Sequence, residues 1–364
     1  MFLIFLPFNN YKAMKTKLLS MILLAFIFVQ CQNTDSKKET STEDSLAQID
    51  KALLEQAQKM FKVMPEMVEK DSTKITDAMI NLGKMLYFDT RLSKKQTQSC
   101  NSCHNLATFG VDNLATSPGD NGTLGTRNSP TVFNAAIHKM QFWDGRAADV
   151  ETQATMPILN PIEMGMSNEK EVLKRLAAVE GYKKLFAEAF PDDKNPITYT
   201  NVGKAIGAFE RTLTTTDRFD KFLNGDLAAL NAQEKKGLNT FISTGCTTCH
   251  IGPSVGGEML MKFGLLADYA PLTGSKVVDE GKFAVTKNEA DKFIFKSMGL
   301  RNIEKTHPYF HDGSVADLKQ AIQIMAKTEL GKELSQEEVD DIHAFLLSLT
   351  GEIAAEKITP PVLF

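Results

Sequence analysis

Two copies of the pattern Cys-x-x-Cys-His constrain this chain more than any other feature of its sequence. The adjacent histidine is the important detail, because this is the attachment pattern of c-type haem. The two thiols add to the vinyl groups of one porphyrin, and the histidine lies under the iron as its proximal ligand. The sequence therefore predicts two covalently bound haem c groups. The motifs are Cys100-Asn-Ser-Cys103-His104 and Cys246-Thr-Thr-Cys249-His250.

Three other uses of paired cysteines compete with haem attachment. Zinc sites usually place their cysteine pairs closer together and do not need a histidine directly after each pair. A redox CxxC is expected near a βαβ pattern, which this sequence lacks. A disulfide scaffold needs more cysteines than the five in this 364-residue chain.

The N-terminal segment is typical of an export signal. Lys15 and Lys17 precede the apolar run 18–29, which is too short to span a bilayer comfortably. Met14 gives this signal a better start than Met1. Export agrees with haem attachment, which takes place outside the cytoplasm in bacteria.

Cys31 closes the apolar run, as the lipidated cysteine does in a bacterial lipoprotein. The alternative is an ordinary signal peptide that is cut nearby and leaves a free thiol. We expect a signal peptide over 1–30 and lipidation of Cys31, hence a periplasmic protein on a membrane surface. Residues 31–45 are polar and predict a flexible tether. The net charge of −4 argues against a nucleic-acid partner.

Apolar residues at helical spacing predict an all-α fold, since strand alternation is scarce. Ser314 and Ser335 are typical of helix N-caps. The predicted helices cover 46–64, 75–87 and 198–222.

One motif lies in each half of the chain, which predicts two cytochrome c-like domains with one haem each. Long ordered loops over 105–165 and 251–305, rich in Gly, Pro, Asn and Asp, would wrap the haems. The predicted domains cover 46–220 and 221–350, and a tail over 351–364 returns to the first domain.

Eight segments, one of which contains the first CxxCH motif, make the sequence resemble the bacterial di-haem cytochrome c peroxidase family, with motifs in both halves. The resemblance runs from about residue 75 to the C-terminus. The segments are LGKMLYFDTRLS (82–93), SCNSCHN (99–105), RNSPTVFNA (127–135), QFWDGRA (141–147), NPIEMGM (160–166), GKFAVTK (281–287), LRNI (300–303) and PYFHDGSV (308–315).

The resemblance implies that the first haem is the low-potential peroxidatic one, with His104 as its proximal ligand. Gln153 and Glu163 match the distal pair of the family. A carboxylate can move the proton of peroxide, and an amide can orient it. Without the resemblance, Glu163 would be interpreted as a solvated loop carboxylate.

The resemblance also implies that the second haem is the high-potential one where electrons arrive. His250 and Met325 match its axial ligands, and Trp143 matches a tryptophan between the haems. Without the resemblance, Met325 and Trp143 would be interpreted as core residues. His311 matches a histidine near the second haem, for which we expect a hydrogen-bonding role. Asn128, Thr306 and Pro308 match a calcium site between the domains.

The chain departs from the family at Asp120. Many members carry a histidine at the matching position, which blocks the peroxidatic iron until the other haem is reduced. Aspartate is a poor substitute for imidazole on ferric haem. We therefore expect the first haem to be open even when fully oxidised; a loop shift that brings in another ligand is the alternative.

The leading prediction is a peroxidase that reduces H2O2 with electrons from a small c-type cytochrome or a cupredoxin. The family also suggests a homodimer. One alternative is a MauG-like enzyme that oxidises a partner protein, but such relatives carry tyrosine where Met325 stands. Another is an electron carrier without enzymatic activity, against which Gln153 and Glu163 argue.

Overall fold

A computed structural model describes residues 42–70 and 74–364. The predicted signal peptide and Cys31 lie outside this part of the chain. The first described helix begins at Thr42, so the end of the predicted tether is helical. Within the described residues, no helix has the length and apolar character needed to cross a membrane.

Helices joined by long loops build the described part of the chain, as the sequence predicts. The helices are α1 (Thr42–Met60), α2 (Asp77–Phe88), α3 (Cys100–Cys103), α4 (Val150–Leu159), α5 (Glu169–Ala177), α6 (Glu180–Ala189), α7 (Tyr199–Glu210), α8 (Arg218–Leu223), α9 (Ala232–Thr244), α10 (Ala270–Thr273), α11 (Phe283–Thr286), α12 (Leu318–Leu330), α13 (Gln336–Leu347) and α14 (Ala355–Ile358).

Two short strands pair in the loop region after the second motif. They are β1 (Leu260–Lys262) and β2 (Ile294–Lys296), and they run antiparallel with Leu260 opposite Lys296. The pairing fixes the end of β2, which lies between the two cavities described below.

The first cluster of buried apolar residues forms where α2 packs against α7. The two helices are close at Gly83, where a β-carbon would come within 1.9 Å of the Ala205 carbonyl oxygen. Only a residue without a side chain allows this distance between two backbones. The C-terminal segment contributes Ile353, Ile358 and Leu363 to the same cluster.

The second cluster forms in the same way where α9 packs against α13. A β-carbon at Gly237 would come within 1.8 Å of the Asp341 carbonyl oxygen. Helix α1 completes this cluster with Leu53, Ala57 and Phe61, although it precedes the first motif in sequence. The division into two domains stays a prediction.

The single helix predicted over 198–222 is wrong. Helix α7 ends at Glu210, and α8 begins at Arg218 after an extended segment rich in threonine. Threonine side chains disfavour the helix interior and bond elsewhere. Thr215 donates its amide N–H to the Asn134 side chain at 2.9 Å. Asp217 then caps α8 by accepting from the Asp220 amide at 3.0 Å.

The two predicted helix caps have different outcomes. Ser335 is confirmed as the N-cap of α13, in a capping box with Glu338. The prediction that Ser314 is an N-cap is wrong, because α12 begins only at Leu318 and its N-cap is Asp317. The chain before it is extended, since the Tyr309 amide donates to the Val315 carbonyl at 2.6 Å.

Candidate active site

The first CxxCH motif folds as the single helical turn α3. The Ser99 amide donates to the Ser102 hydroxyl at 3.0 Å, and the His104 amide donates to the Cys100 carbonyl at 2.9 Å. The turn brings Cys100, Cys103 and His104 to the wall of one cavity of about 210 Å³, called here the first cavity.

A backbone carbonyl fixes the orientation of the His104 ring. Its Nδ1 atom lies 2.9 Å from the Pro130 carbonyl oxygen. Since a carbonyl can only accept, Nδ1 carries the proton and Nε2 keeps a free lone pair. Burial lowers the pKa of His104, which favours this neutral form. The side chain is therefore held as histidine is held when it ligates a metal.

The first cavity also contains the two side chains predicted to handle peroxide. Gln153 lies on α4, and Glu163 lies in the turn after that helix. Both line the cavity together with Arg146. Burial raises the pKa of Glu163, although the charge of Arg146 and a hydrogen bond with Asn160 oppose the shift. A carboxyl group with a raised pKa can accept a proton and return it near neutral pH.

Asp120 is absent from the cavity wall and serves as a buried brace. Its carboxylate accepts from the Lys95 amide at 2.5 Å, the Thr97 hydroxyl at 2.7 Å and the Ser93 hydroxyl at 2.8 Å. Burial opposes ionisation, but these bonds outweigh it and lower the pKa of Asp120. The Asp120 amide donates to the Glu163 carbonyl at 2.7 Å. This residue therefore ties two loops together beside the first cavity.

The second motif lies at the end of α9. Gly245 ends that helix in the left-handed region, with φ of 105°. Cys246, Cys249 and His250 follow and line a cavity of about 240 Å³, called here the second cavity. The Nδ1 atom of His250 lies 3.3 Å from the Val255 carbonyl oxygen, and burial lowers the pKa of this imidazole. The arrangement repeats that of the first motif.

Met325 and His311 line the second cavity with the motif residues. Met325 lies on α12, among apolar side chains. The His311 ring stacks on Phe295 with centroids 4.4 Å apart. The predicted hydrogen-bonding role of His311 stays a prediction, because its buried Nε2 atom has no hydrogen-bond partner among the described residues.

Trp143 lies on the wall shared by the two cavities. Its indole N–H donates to the Asn128 carbonyl at 2.9 Å, which fixes the ring. Its position agrees with a tryptophan between two cofactors.

The sequence profile of the family described as di-haem cytochrome c peroxidase matches residues 77–228. The chain is 46% identical over 311 residues to cytochrome c551 peroxidase of Pseudomonas aeruginosa, which covers 84% of this chain and 88% of the relative. This chain belongs to the di-haem cytochrome c peroxidase family.

Further relatives agree with this membership. Cytochrome c551 peroxidase of Nitrosomonas europaea is 46% identical over 275 residues, which is 75% of this chain and 80% of the relative. Among solved structures, a MauG-like protein associated with microbial copper homeostasis is similar with a TM-score of 0.72 and 29% identity. That match covers 82% of this chain and 97% of the other.

The residues present fit the haem groups that the di-haem peroxidase family implies. Each cavity carries on its wall the two thiols and the oriented imidazole of its CxxCH motif. Each also holds a buried polar atom without a partner among the described residues, Gln98 Oε1 in the first and His311 Nε2 in the second. Buried polar atoms are nearly always hydrogen-bonded, so these two atoms indicate a bound group.

The competing interpretations of the cysteine pairs do not fit this geometry. The four described cysteines form no disulfide. No cluster of three or more metal-ligating side chains occurs within residues 42–70 and 74–364, and the pairs lie in separate cavities. Burial raises the thiol pKa, to about 11 for Cys103 and about 12 for Cys246. A redox cysteine pair needs the opposite shift.

The calcium site of the family stays a prediction for this chain. Asn128, Thr306 and Pro308 all line the second cavity. The Asn128 amide nitrogen donates to the Leu114 carbonyl at 2.9 Å, which leaves the amide oxygen as the only side-chain atom for a cation.

Sequence reasoning missed four charged residues that line the first cavity: Arg127, Arg146, Glu210 and Lys296. Burial, together with the charge of Glu151, raises the pKa of Glu210 to about 8. The available signal for Glu210 was its position as a charged residue at the end of the apolar helix α7. Arg127 and Arg146 stand in two of the segments quoted for the family resemblance, whereas Lys296 stands in no pattern that would distinguish it from a surface cation.

Proposed function

We propose that this enzyme reduces hydrogen peroxide to water, H2O2 + 2 e⁻ + 2 H⁺ → 2 H2O. The electron donor would be a small periplasmic c-type cytochrome or a cupredoxin. One observation carries the proposal: Gln153 and Glu163 line the same cavity as Cys100, Cys103 and His104. The names of the relatives that are 46% identical support the same reaction.

The first cavity would supply proton transfer and positioning. Glu163, whose pKa is raised by burial, takes a proton from peroxide and returns it to the leaving oxygen. The Gln153 amide orients the substrate, and Arg146 stabilises the carboxylate form of Glu163. His104 would hold the iron from Nε2. When bound, the haem supplies the redox-active iron at which peroxide is reduced.

The second cavity would receive the electrons. His250 and Met325 would hold the iron of its haem, and a soft thioether ligand favours the reduced metal. Trp143 is supported as the connection to the first cavity because its indole lines both.

The first cavity should accept peroxide without prior reduction of the enzyme. The carboxylate of Asp120 is engaged by Ser93, Lys95 and Thr97, and this supports its having no role as a ligand. A shift of the loop at Asp120 would have to break these three hydrogen bonds.

The experiment compares peroxide turnover by the fully oxidised and the half-reduced holoprotein, with the haem spin states recorded by electron paramagnetic resonance. We expect a high-spin first haem and equal initial rates in the two states. Low-spin signals from both haems with a lag in turnover would contradict the open site. If neither the oxidised nor the half-reduced protein turned over peroxide, the proposed peroxidase activity would be rejected, and the electron carrier would remain as the interpretation.

A MauG-like oxidation of a partner protein is the second candidate, supported by the similarity to the MauG-like structure. Met325 favours the peroxidase, since it lines the second cavity with His250. Persistent oxidation of the protein by peroxide without an added electron donor would favour the alternative.

Cellular placement and assembly complete the proposal. We propose export to the periplasm, lipid attachment at Cys31, a homodimer, and a calcium ion at Asn128, Thr306 and Pro308. A Cys31→Ser variant that stays in the membrane fraction would contradict the anchor. An unchanged melting temperature and turnover after chelation would contradict the calcium ion, and light scattering of the exported protein reports its oligomeric state.

A further inference from the structure

Lys296 is a buried cation between the two cavities that the proposed peroxidase chemistry does not use. It ends β2, its amide donates to the Trp143 carbonyl at 2.7 Å, and only 4% of the residue is exposed. It lines both the first and the second cavity. A lysine in this position is costly unless something compensates its charge.

The partners of the Lys296 ammonium are neutral. Its Nζ atom donates to the Met140 carbonyl at 3.1 Å and to Nδ1 of His138 at 3.3 Å. The His138 ring in turn donates from Nε2 to the Ser254 hydroxyl at 2.9 Å. Burial, reinforced by the charge of Lys296, lowers the pKa of His138 well below its usual range, so this ring is neutral.

The position of His138 is built closely around the imidazole. A β-carbon at Gly257 would come within 2.1 Å of the ring, and one at Gly299 within 2.8 Å. The ring cannot move away from Lys296 without displacing backbone. The arrangement is therefore a fixed cradle for the amine, and a third N–H of the ammonium remains for another acceptor.

Lys296 forms no salt bridge with a carboxylate within residues 42–70 and 74–364, and its side-chain partners are neutral. Asp144 is the acidic residue whose charge reaches it. That carboxylate already pairs with Arg127 at 2.6 Å and with Arg146 at 2.8 Å. In the protein alone, burial lowers the pKa of Lys296 to about 7. An anion next to the amine would therefore favour its charged form.

We propose that the Lys296 ammonium binds a propionate carboxylate of a haem at the wall between the two cavities and thereby raises the reduction potential of that haem. The proposal rests on the two haems of the proposed function. A porphyrin propionate is the acceptor that fits, because it arrives with the group that the cavity walls hold. A positive charge near the iron favours the ferrous state, which carries one positive charge fewer than the ferric state.

The experiment measures the midpoint potential of each haem by spectroelectrochemistry, together with the haem content, in the holoprotein. Lys296→Met and Lys296→Gln remove the charge, and Lys296→Arg keeps it. Lys184→Met is the matched control, since its side chain is 78% exposed and lines neither cavity.

We expect both neutral variants to shift the ferrous-to-ferric equilibrium of one haem about tenfold toward ferric, which is about 59 mV for one electron. Lys296→Arg and Lys184→Met should stay near wild type. If the neutral variants lose a haem that Lys296→Arg keeps, a cation is required for loading, which also supports the proposal.

Two outcomes reject the inference. Potentials that are unchanged in both neutral variants show that the ammonium does not act on a haem. Equal loss of haem in all three variants at position 296 shows a packing role only. Wild-type haem content and turnover are measured first: a wild type without two covalent haems overturns the proposed function, whereas a normal wild type with insensitive potentials overturns only the role of Lys296.

Discussion

Replacement of Asp120 by alanine should destabilise the folded protein by about 3–5 kcal/mol. The carboxylate accepts bonds at 2.5, 2.7 and 2.8 Å from Lys95, Thr97 and Ser93. Hydrogen bonds to a charged group contribute about 1.5–3 kcal/mol each. The two hydroxyl groups can rotate toward water that fills the space, whereas the Lys95 amide cannot, so the loss is smaller than the full sum.

The assay is urea unfolding of the holoprotein followed by far-ultraviolet circular dichroism. Asp120→Asn keeps the shape and one oxygen acceptor, so its loss should be about 1–2 kcal/mol. Asp192→Ala serves as the control, because this residue is exposed and its loss should stay within about 0.5 kcal/mol.

The dependence on pH gives a second test. The pKa of Asp120 is lowered in the folded protein. Its stabilisation is therefore complete above the unfolded value of about 3.9 and is lost as pH falls through the folded value. The difference between wild type and Asp120→Ala should be constant near neutral pH and shrink below about pH 4. A variant as stable as wild type at pH 7 would refute the brace.

Three further predictions concern the acid–base group, the second haem and the helix packing. Glu163→Gln should lower kcat by about 10²–10⁴-fold with haem content unchanged, while Glu169→Gln on the exposed face of α5 should retain wild-type turnover. Because the pKa of Glu163 is raised, the wild-type kcat/KM should rise with pH through a value above that of an ordinary carboxyl. This rise should be absent from the pH profile of Glu163→Gln, measured in buffers of constant ionic strength. Met325→Leu should lower the midpoint potential of the second haem in spectroelectrochemistry, and an unchanged potential would remove Met325 as its ligand. Gly83→Ala should cost about 3 kcal/mol or more in urea unfolding, since its β-carbon would meet a carbonyl oxygen at 1.9 Å, whereas Gly125→Ala, with 3.5 Å to its nearest neighbour, should be tolerated.

The sequence was most informative where chemistry requires contiguous residues. Each CxxCH motif is one local unit, so the sequence alone places Cys100, Cys103 and His104 on one wall. Gln153 and Glu163 belong to the same cavity because α4 ends between them, and the family resemblance supplied that pair. The spacing of apolar residues predicted helices but did not reveal the extended segment after Glu210.

Features that depend on distant contacts were not predictable. The sequence singled out Asp120 because it stands where many family members carry a histidine. It could not show that the Asp120 carboxylate bonds to a loop 23–27 residues away in sequence. The burial of Lys296 depends on His138, which is 158 residues away. A lysine looks the same in a sequence whether it faces water or lies in a wall between two cavities, because only tertiary packing removes its solvent.

The N-terminal helix of the described chain packs in the second cluster, and the C-terminal segment packs in the first. Helix α1 completes the second cluster through Leu53 and Phe61, whereas the C-terminal segment covers the first with Ile353 and Leu363. The first core is therefore completed only when the segment that carries Ile353 and Leu363 packs on it, whereas the second core contains no residue after Leu349. A prematurely terminated chain would expose the core of the first motif, and a chain clipped at its start would expose that of the second. Burial of each core thus depends on a segment that is far in sequence from the CxxCH motif beside that core.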